Sequence, residues 1–496
     1  MTLIIRRSGD AGFKALRRNA SPSHATKDGM KQARSRSVLL LAGVSCLYVS
    51  APIHQAAELS APGKVGTVIC RSDSTQSYAL YLPSTYTPGK RWPIIYFFDP
   101  AGRGRRPVDI YKDIGETYGF ILAGSNNSRN FSSDQSKAVN AIWEDTHARI
   151  SLDEHRAYAS GFSGGARVAG AMALSSPEQV AGVIAHGAGY PGSKAGSKDD
   201  LPYFFAVGNE DFNWPEVVNI RRQREAQGSP YRVRIYPGKH QWAPPAVMGE
   251  AVEYLMLKAM QTGRLASDVG LIDRAYERLK QDAADAETRK DPIAEFSAYR
   301  ALASDFGGLR DVKAFAAKLA SFEQSPGLKA ARKQEQQEIA EQSRLEQEIM
   351  PKIAALADNS APDTTSLRIE VRQQLGMLRE QARHHKNETN RLIASRAFGG
   401  IFVRTMEDGQ QQLAARHFEK AEACFDLMRQ VTDDPWPVLL LADTHAAAGN
   451  RRLAIKDLQE AVGRGVKDRA VIENDPLLQS LKGEPDFQKL LDKLEP

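Results

Sequence analysis

Residues 156–174 read RAYASGFSGGARVAGAMAL, and this stretch is the most informative one for the fold class of the first half of the chain. It contains a G-x-S-x-G motif from Gly161 to Gly165, with Ser163 at its centre. A strand-type run precedes the motif and an alanine-rich, helix-prone run follows it. A sharp strand-to-helix turn holds a serine hydroxyl clear of the sheet, and flanking glycines avoid Cβ clashes. The stretch therefore predicts a nucleophilic serine at Ser163, beside a helix N-terminus that favours negative charge.

Short apolar runs alternate with amphipathic segments on both sides of this motif, from about residue 63 to residue 263. The runs are TVICRS, YALYLP, PIIYFFD, FILAGS, RAYASGF, VAGVIAHG, YFFAVG and RVRIYP. Strand–helix alternation favours a mostly parallel sheet with helices on both faces. We therefore predict an α/β catalytic domain over residues 58–264.

A serine hydroxyl is a weak nucleophile, so a base and an orienting acid are needed elsewhere in the chain. Asp211 follows the strand-type run YFFAVG, and His240 follows the run RVRIYP. Ser…Asp…His is the chain order expected for this strand–turn–helix context. His240 would accept the proton of Ser163, and Asp211 would hold the imidazole in the required tautomer. The neighbouring Glu210 is the alternative acid.

Such a site also needs two N–H groups that face the carbonyl oxygen of the substrate. Gly164, which follows the serine, is expected to supply one of them. The loop after PIIYFFD, residues 99–104, is expected to supply the other. Pro100 has no N–H, which leaves Ala101 as the first choice and Gly102 as the second.

Two groups of residues are candidates for contact with the substrate. The polar loop 126–130 follows a predicted strand and is expected at the same edge of the sheet. Three aromatic residues flank the predicted acid and base: Phe212, Trp214 and Trp242. They are suited to stacking against an aromatic acyl group or a sugar, and equally to ordinary packing.

Together these stretches resemble the α/β-hydrolase superfamily, and within it the exported esterases of the polyhydroxybutyrate depolymerase-like and feruloyl or acetyl-xylan esterase-like type. The resemblance rests on YALYLPSTYTPGKRWPIIYFFDPAGRG, AVNAIWEDTHARI, RAYASGFSGGARVAGAMAL, FFAVGNEDFNW and YPGKHQW. It implies a serine hydrolase of carboxylic esters, with Ser163, Asp211 and His240 in the triad positions. Triad chemistry requires no metal or organic cofactor. Such esterases usually carry His-Gly where this chain has Asp99-Pro100, which leaves the oxyanion geometry open.

From about residue 265 onward, strand signals nearly vanish and Ala, Glu, Gln, Lys, Arg and Leu dominate. We predict a charged helical linker or helical domain over residues 265–399. Its stretch 328–350, LKAARKQEQQEIAEQSRLEQEIM, has few apolar anchors. This pattern favours a solvated connecting helix, with a coiled-coil partner surface as the alternative.

Residues 400–496 contain a weak internal repeat. Ala421 and Ala454 are 33 positions apart, and so are Phe425 and Leu458. This spacing is close to the 34-residue tetratricopeptide period, so we predict tetratricopeptide-like helical pairs, with an unrelated helical bundle as the alternative. Such a region would bind a protein partner or a second copy of the chain.

The basic character of the chain lies in its first residues. The 496 residues include 66 Lys or Arg and 60 Asp or Glu, a net charge of +6. Residues 1–51 hold nine of the basic and two of the acidic residues, which leaves 57 basic and 58 acidic residues in the remainder. A nucleic-acid binder usually keeps a basic face, so this balance disfavours that class of protein.

Residues 1–57 have the pattern of a leader with a signal peptide. An apolar run of twelve residues covers positions 38–49. It is preceded by three basic residues, Lys31, Arg34 and Arg36. At the end of the run, residues 49–51 read Val-Ser-Ala, a small-residue cleavage site. Twelve residues are too few to span a bilayer, which needs about 20. We expect export to the periplasm or the medium of a bacterium, starting from Met1 or Met30, with an uncleaved anchor as the alternative.

Other global features limit the remaining classes. A mean hydropathy of −0.43 excludes a protein with many membrane spans. Beyond the predicted leader only Cys70 and Cys424 remain, too far apart in sequence for a disulfide framework or a zinc site. Two alternatives to an esterase stay open. One is a non-catalytic, hydrolase-like scaffold without a working oxyanion hole, and the other is a serine peptidase of related fold.

Overall fold

A mixed sheet of eight strands forms the N-terminal half of the structure, a computed structural model that describes residues 59–189 and 200–494. The strands are β1 (Val65–Ile69), β2 (Ser77–Tyr81), β3 (Trp92–Phe98), β4 (Ile121–Ser125), β5 (Leu152–Phe162), β6 (Val183–His186), β7 (Tyr203–Gly208) and β8 (Tyr231–Tyr236). Their order across the sheet is β1-β2-β4-β3-β5-β6-β7-β8. The β1–β2 and β2–β4 pairs are antiparallel and the other pairs are parallel. The predicted leader lies outside the described residues.

Five helices cover the two faces of this sheet: α1 (Arg105–Tyr118), α2 (Gln135–Arg149), α3 (Gly164–Ser175), α4 (Trp214–Gln227) and α5 (Pro245–Gln261). Successive side chains of a strand point to opposite faces, so each central strand contributes to two cores. In β3, for example, Tyr96 packs in the core under α2, α3 and α4, whereas Phe97 packs in the core under α1 and α5. The predicted mostly parallel sheet with helices on both faces is confirmed.

The rest of the described chain is helical. Its helices are α6 (Val269–Arg289), α7 (Pro292–Asp305), α8 (Lys313–Glu323), α9 (Pro326–Ala357), α10 (Thr364–His384), α11 (Glu388–Ala414), α12 (Phe418–Val431), α13 (Trp436–Ala447), α14 (Arg451–Gly463), α15 (Arg469–Glu473) and α16 (Pro485–Leu491). Several begin where a side chain accepts a first-turn N–H: Asp268, Asp291, Ser325, Asp363 and Asn387. The last strand, β8, ends at Tyr236, and every described element after it is helical.

The helices pack directly against the sheet domain. The Arg232 guanidinium of β8 pairs with the Asp305 carboxylate of α7 at 2.7 Å. Arg221 of α4 pairs with Glu335 of α9 at 2.6 Å, and both side chains are buried. Breaking a buried ion pair is costly because it strands the remaining charge, so these contacts hold the two regions together.

The repeat positions of the last hundred residues lie at helix contacts. Ala421 and Phe425 of α12 are buried in one core, and Ala454 and Leu458 of α14 are buried in the next. Their tetratricopeptide-like character stays a prediction. In the part of the chain that the structure describes, no helix has both the length and the apolar character to cross a membrane.

Candidate active site

Ser163 occupies the single position between strand β5 and helix α3. Its backbone has φ of 53° and ψ of −122°, a conformation that residues other than glycine rarely adopt. The neighbouring glycines are required there, because a Cβ on Gly161 would overlap the backbone of Gly165 and a Cβ on Gly165 would overlap that of Phe98. The turn therefore stores strain of about 1–3 kcal/mol at one residue, and directs its side chain away from the sheet.

The loops after β7 and β8 bring an acid and an imidazole to this serine. His240 Nε2 lies 2.9 Å from Ser163 Oγ. On the other side of the ring, Nδ1 lies 2.9 Å and 3.0 Å from the two carboxylate oxygens of Asp211. Asp211 is fully buried, whereas Ser163 and His240 are half-buried. The three side chains thus form one continuous hydrogen-bonded chain.

The alternative acid, Glu210, faces the other way. Its carboxylate binds the Arg391 guanidinium at 3.1 Å and accepts a hydrogen bond from Ser395 Oγ at 2.8 Å, both on α11. The structure thus brings Asp211, and not Glu210, to the imidazole. Two adjacent carboxylates of the same loop have separate partners.

Two aromatic rings contact the imidazole directly. The ring centroids of Phe212 and Phe162 lie 4.3 Å and 4.5 Å from that of His240. The other two predicted substrate-contact residues are buried. Trp242 packs against Phe162, and the Arg396 guanidinium lies 4.0 Å from the ring of Trp214. Ordinary packing, the second interpretation of these tryptophans, describes both of them in this structure.

A second histidine lies beneath the site but is unsuited to proton transfer. His186 ends strand β6, is fully buried, and its ring nitrogens have no hydrogen-bond partner. Burial lowers the pKa of His186 to about 3, so its ring is neutral at physiological pH. Its backbone oxygen accepts the N–H of Ser163 at 2.9 Å, which fixes the serine backbone.

The loop after β3 differs from the expectation for an oxyanion hole. The buried Asp99 carboxylate accepts the backbone N–H of Ala101 at 2.9 Å and the indole N–H of Trp242 at 3.1 Å. The N–H of Gly102 donates to the backbone oxygen of Asp99 at 3.0 Å. Both predicted donors of this loop are therefore engaged within the loop, the N–H of Ala101 by the Asp99 side chain and the N–H of Gly102 by the Asp99 backbone. Gly164 N–H lies in the first turn of α3, where no intrahelical acceptor exists.

The polar loop after β4 reaches the serine turn. The N–H of Asn130 donates to the Pro100 oxygen at 2.8 Å, which joins this loop to the loop after β3. The Asn130 carboxamide fills the space where a Cβ of Gly164 would lie. The next residue, Phe131, has φ of 61° and an exposed side chain. The sequence indicated this loop, but no local pattern distinguished Asn130 from its neighbours.

Residues of the helical region contact the loop that carries Asp211, and no sequence pattern predicted these contacts. The side-chain amide of Gln342 on α9 donates to the backbone oxygen of Phe212 at 3.0 Å. On α11, a Cβ on Gly400 would lie 3.3 Å from Phe212 Cβ. Glu407, about two turns further along α11, is half-buried, and burial raises its pKa while the positive charge of Arg167 partly offsets this rise. The residues of α9 and α11 therefore enclose the loop that carries Asp211.

Within the described ranges, no group of three or more His, Cys, Asp or Glu side chains is placed to hold a metal ion.

Comparisons with known proteins give fold neighbours only. No family model matches the chain, and no curated protein matches it. The chain is similar to a ferulic acid esterase, at 15% identity over 38% of this chain and 94% of that one, with a TM-score of 0.31. It is also similar to S-formylglutathione hydrolase from Staphylococcus aureus, at 11% identity over 40% and 99% of the two chains, with a TM-score of 0.32. It is similar as well to esterase 2 from Thermogutta terrifontis, at 14% identity over 42% of this chain and 99% of that one, with a TM-score of 0.32. An activity for this chain therefore has to rest on its own residues.

Proposed function

We propose that this chain is a serine hydrolase that cleaves carboxylic esters through an acyl-enzyme. The observation that carries the proposal is the hydrogen-bonded chain from Ser163 Oγ through His240 to the buried Asp211 carboxylate. A nucleophile within hydrogen-bond reach of a base, which is itself oriented by an acid, is the arrangement that activates a hydroxyl. A histidine with only a structural role would not require a serine at a strained turn beside it.

The chemistry follows from this geometry. His240 Nε2 accepts the proton of Ser163 as Oγ bonds to the ester carbonyl carbon, and the carbonyl electron pair moves onto oxygen. Asp211 stabilises the resulting imidazolium. When the pair returns, the carbon–oxygen bond to the alcohol breaks and His240 gives its proton to the departing alkoxide. Water then attacks the acyl-enzyme by the same route, and releases the acid and the free serine.

One observation favours the second candidate, a non-catalytic scaffold. The Ala101 N–H, which would complete the oxyanion hole in the expected way, donates to Asp99 instead. A peptidase of related fold has no such observation in its favour, so we place it below both.

The proposal includes two parts that lie away from the site. We propose that the leader, residues 1–57, exports the chain, as its sequence pattern predicts.

We also propose that residues 400–496 form tetratricopeptide-like pairs that bind a protein partner or a second copy. The burial of Ala421, Phe425, Ala454 and Leu458 at helix contacts supports this part. Light scattering of the purified chain tests self-association, which a monomeric mass at all concentrations would contradict.

Hydrolysis of short-chain and aromatic nitrophenyl esters by the purified chain tests the activity. We expect turnover and labelling by a fluorophosphonate probe, both abolished in Ser163→Ala. Ser160→Ala is a matched control, because it removes a buried hydroxyl of the same strand that has no hydrogen-bond partner. Turnover in the control together with its loss in Ser163→Ala would support the acyl-enzyme. A folded wild-type protein with neither turnover nor labelling would favour the scaffold.

A further inference from the structure

The oxyanion of the proposed reaction lacks a second donor in the loop where such a donor is expected. A tetrahedral intermediate is stabilised by preorganised hydrogen-bond donors, and each one removed costs about 10²–10³ in kcat. Gly164 N–H is one donor. The N–H groups of Ala101 and Gly102 are both engaged by Asp99, one by its carboxylate and one by its backbone oxygen. The second donor has to come from another part of the site.

Asn130 is the polar side chain that lies against Gly164. An ideal Cβ on Gly164 would lie 2.8 Å from Asn130 Nδ2 and would overlap Oδ1. The carboxamide therefore sits directly beside the residue whose N–H faces the developing charge. The Asn130 side chain is half-buried and makes no hydrogen bond to any residue that the structure describes. Its amide N–H groups are therefore available to a hydrogen-bond acceptor that enters the site.

The surrounding backbone holds this carboxamide in place. The N–H of Asn130 is anchored to the Pro100 oxygen at 2.8 Å, and Ala101 pairs with Arg129 as a short antiparallel bridge. Phe131 follows at a φ of 61°, a strained value for an aromatic residue. Strain of this kind persists where surrounding contacts fix the backbone, and it is common in active sites. The loops after β3 and β4 thus form one unit that presents Asn130 to the serine turn.

We propose that Asn130 Nδ2–H is the second oxyanion donor, and that it replaces the backbone donor that Asp99 has taken. This inference rests on the proposed function. As Ser163 Oγ bonds to the carbonyl carbon, the carbonyl electron pair moves to oxygen, which accepts hydrogen bonds from Gly164 N–H and Asn130 Nδ2–H. Neither donor transfers its proton, which leaves the balance of the reaction unchanged. The two ends of a carboxamide have nearly the same size, so a half-turn of the amide directs Nδ2 to the oxyanion without displacing neighbours.

The test compares Asn130→Ala with the wild-type chain on a nitrophenyl ester. We expect kcat to fall by about 10²–10³ while KM changes by less than about threefold, because the contact forms only in the transition state. Asn130→Asp keeps the size of the side chain but replaces the donor with a negative charge. It should lose at least as much activity, and it serves as the variant of choice if Asn130→Ala does not fold. Ser133→Ala is the control, since that exposed side chain lies three residues after Asn130, outside the loop 126–130, and binds Asp134.

A transition-state analogue separates this role from a structural one. Phenylboronic acid forms a tetrahedral adduct on an active serine and places an oxygen in the oxyanion position. We expect its inhibition constant to rise in Asn130→Ala by the same factor by which kcat/KM falls. A kcat within threefold of the wild type in both Asn130 variants, with wild-type turnover intact, would overturn this inference alone. A wild-type chain with no turnover and no labelled serine would overturn the proposed function and this inference together.

Discussion

Gln342 of α9 donates a hydrogen bond to the backbone oxygen of Phe212, a residue 130 positions earlier in the chain, at 3.0 Å. Phe212 directly follows Asp211 and packs on the ring of His240 at 4.3 Å between centroids. Two neighbouring contacts act on the same loop from α11, where Arg391 and Ser395 bind Glu210. The helical region is therefore in direct contact with the loop that supplies the proposed acid.

Gln342→Ala should weaken this contact. The substitution leaves the Phe212 carbonyl oxygen without its buried donor, which costs about 1–3 kcal/mol of unfolding free energy. We also expect a lower kcat with little change in KM, measured at a temperature where the variant is folded, because the Asp211 loop is less well fixed. Gln347→Ala is the control on the same helix, since its exposed amide binds only Ser343. Equal effects of the two substitutions would contradict the prediction.

Two adjacent glycines of α11 offer a second test of the same contact. A Cβ on Gly400 would lie 2.8 Å from Glu346 Oε1 and 3.3 Å from Phe212 Cβ, whereas one on Gly399 would meet Phe212 only at 3.9 Å. Gly399→Ala should raise the melting temperature, because alanine is favoured over glycine inside a helix by about 1 kcal/mol. Gly400→Ala should lower both the melting temperature and kcat. Stabilisation by both substitutions would show that α11 does not press on this loop.

Substitution of Gly164 gives a further test of Asn130 as an oxyanion donor. Gly164→Ala places a methyl group where the Asn130 carboxamide lies, so we expect a large loss of kcat in the wild-type background. In an Asn130→Ala background that space is vacant, and the same substitution should cost far less. A double-mutant cycle in kcat therefore should show strong coupling between the two positions. Additive losses would mean that Asn130 and Gly164 act separately.

The outer helices should show a pH-dependent stability. His445 Nδ1 of α13 lies 2.6 Å from an Asp457 carboxylate oxygen of α14, and Glu422 of α12 lies 3.6 Å from Nε2. The hydrogen bond to Asp457 raises the pKa of His445 above its usual value of 6.5, although burial opposes this shift. The protonated ring therefore adds stability that is full below pH 6.5 and is lost as the pH rises through the raised pKa.

Thermal melts at several pH values between about 6 and 9 check this sign. The melting temperature of the wild-type chain should fall as the pH rises, and Asp457→Asn should remove much of that slope. A slope that is the same in both chains would assign the pH dependence to other groups.

Local sequence was sufficient for the serine turn and for the order of the three residues. The glycines around Ser163 are required by the backbone itself, and Asp211 and His240 each follow a strand whose apolar run is visible in the sequence. The sequence favoured Asp211 and left Glu210 open as the alternative acid. The contact that separates the two is distant in sequence, because Arg391, 181 positions after Glu210, binds the Glu210 carboxylate.

Other parts of the site depend on contacts that no local pattern reveals. The sequence predicted the Ala101 N–H as an oxyanion donor, but the buried carboxylate of Asp99 accepts this N–H. The polar stretch 328–350 predicted a solvated helix, and this was wrong for one face of α9. Glu335, Gln342 and Glu346 are buried there, because each finds a charged or polar partner. The sequence alone does not distinguish a polar side chain that is buried against a distant partner from one that is exposed to water.

The contacts of α9 and α11 with the Asp211 loop have a thermodynamic consequence. If an ordered loop favours acylation at Ser163, then acylation must favour the packed position of these helices by the same free energy, because coupling between two equilibria is reciprocal. Any molecule that binds the outer helices and shifts α11 would then change the affinity of the site for its ester. The occupancy of the serine would in turn change how tightly that molecule is held.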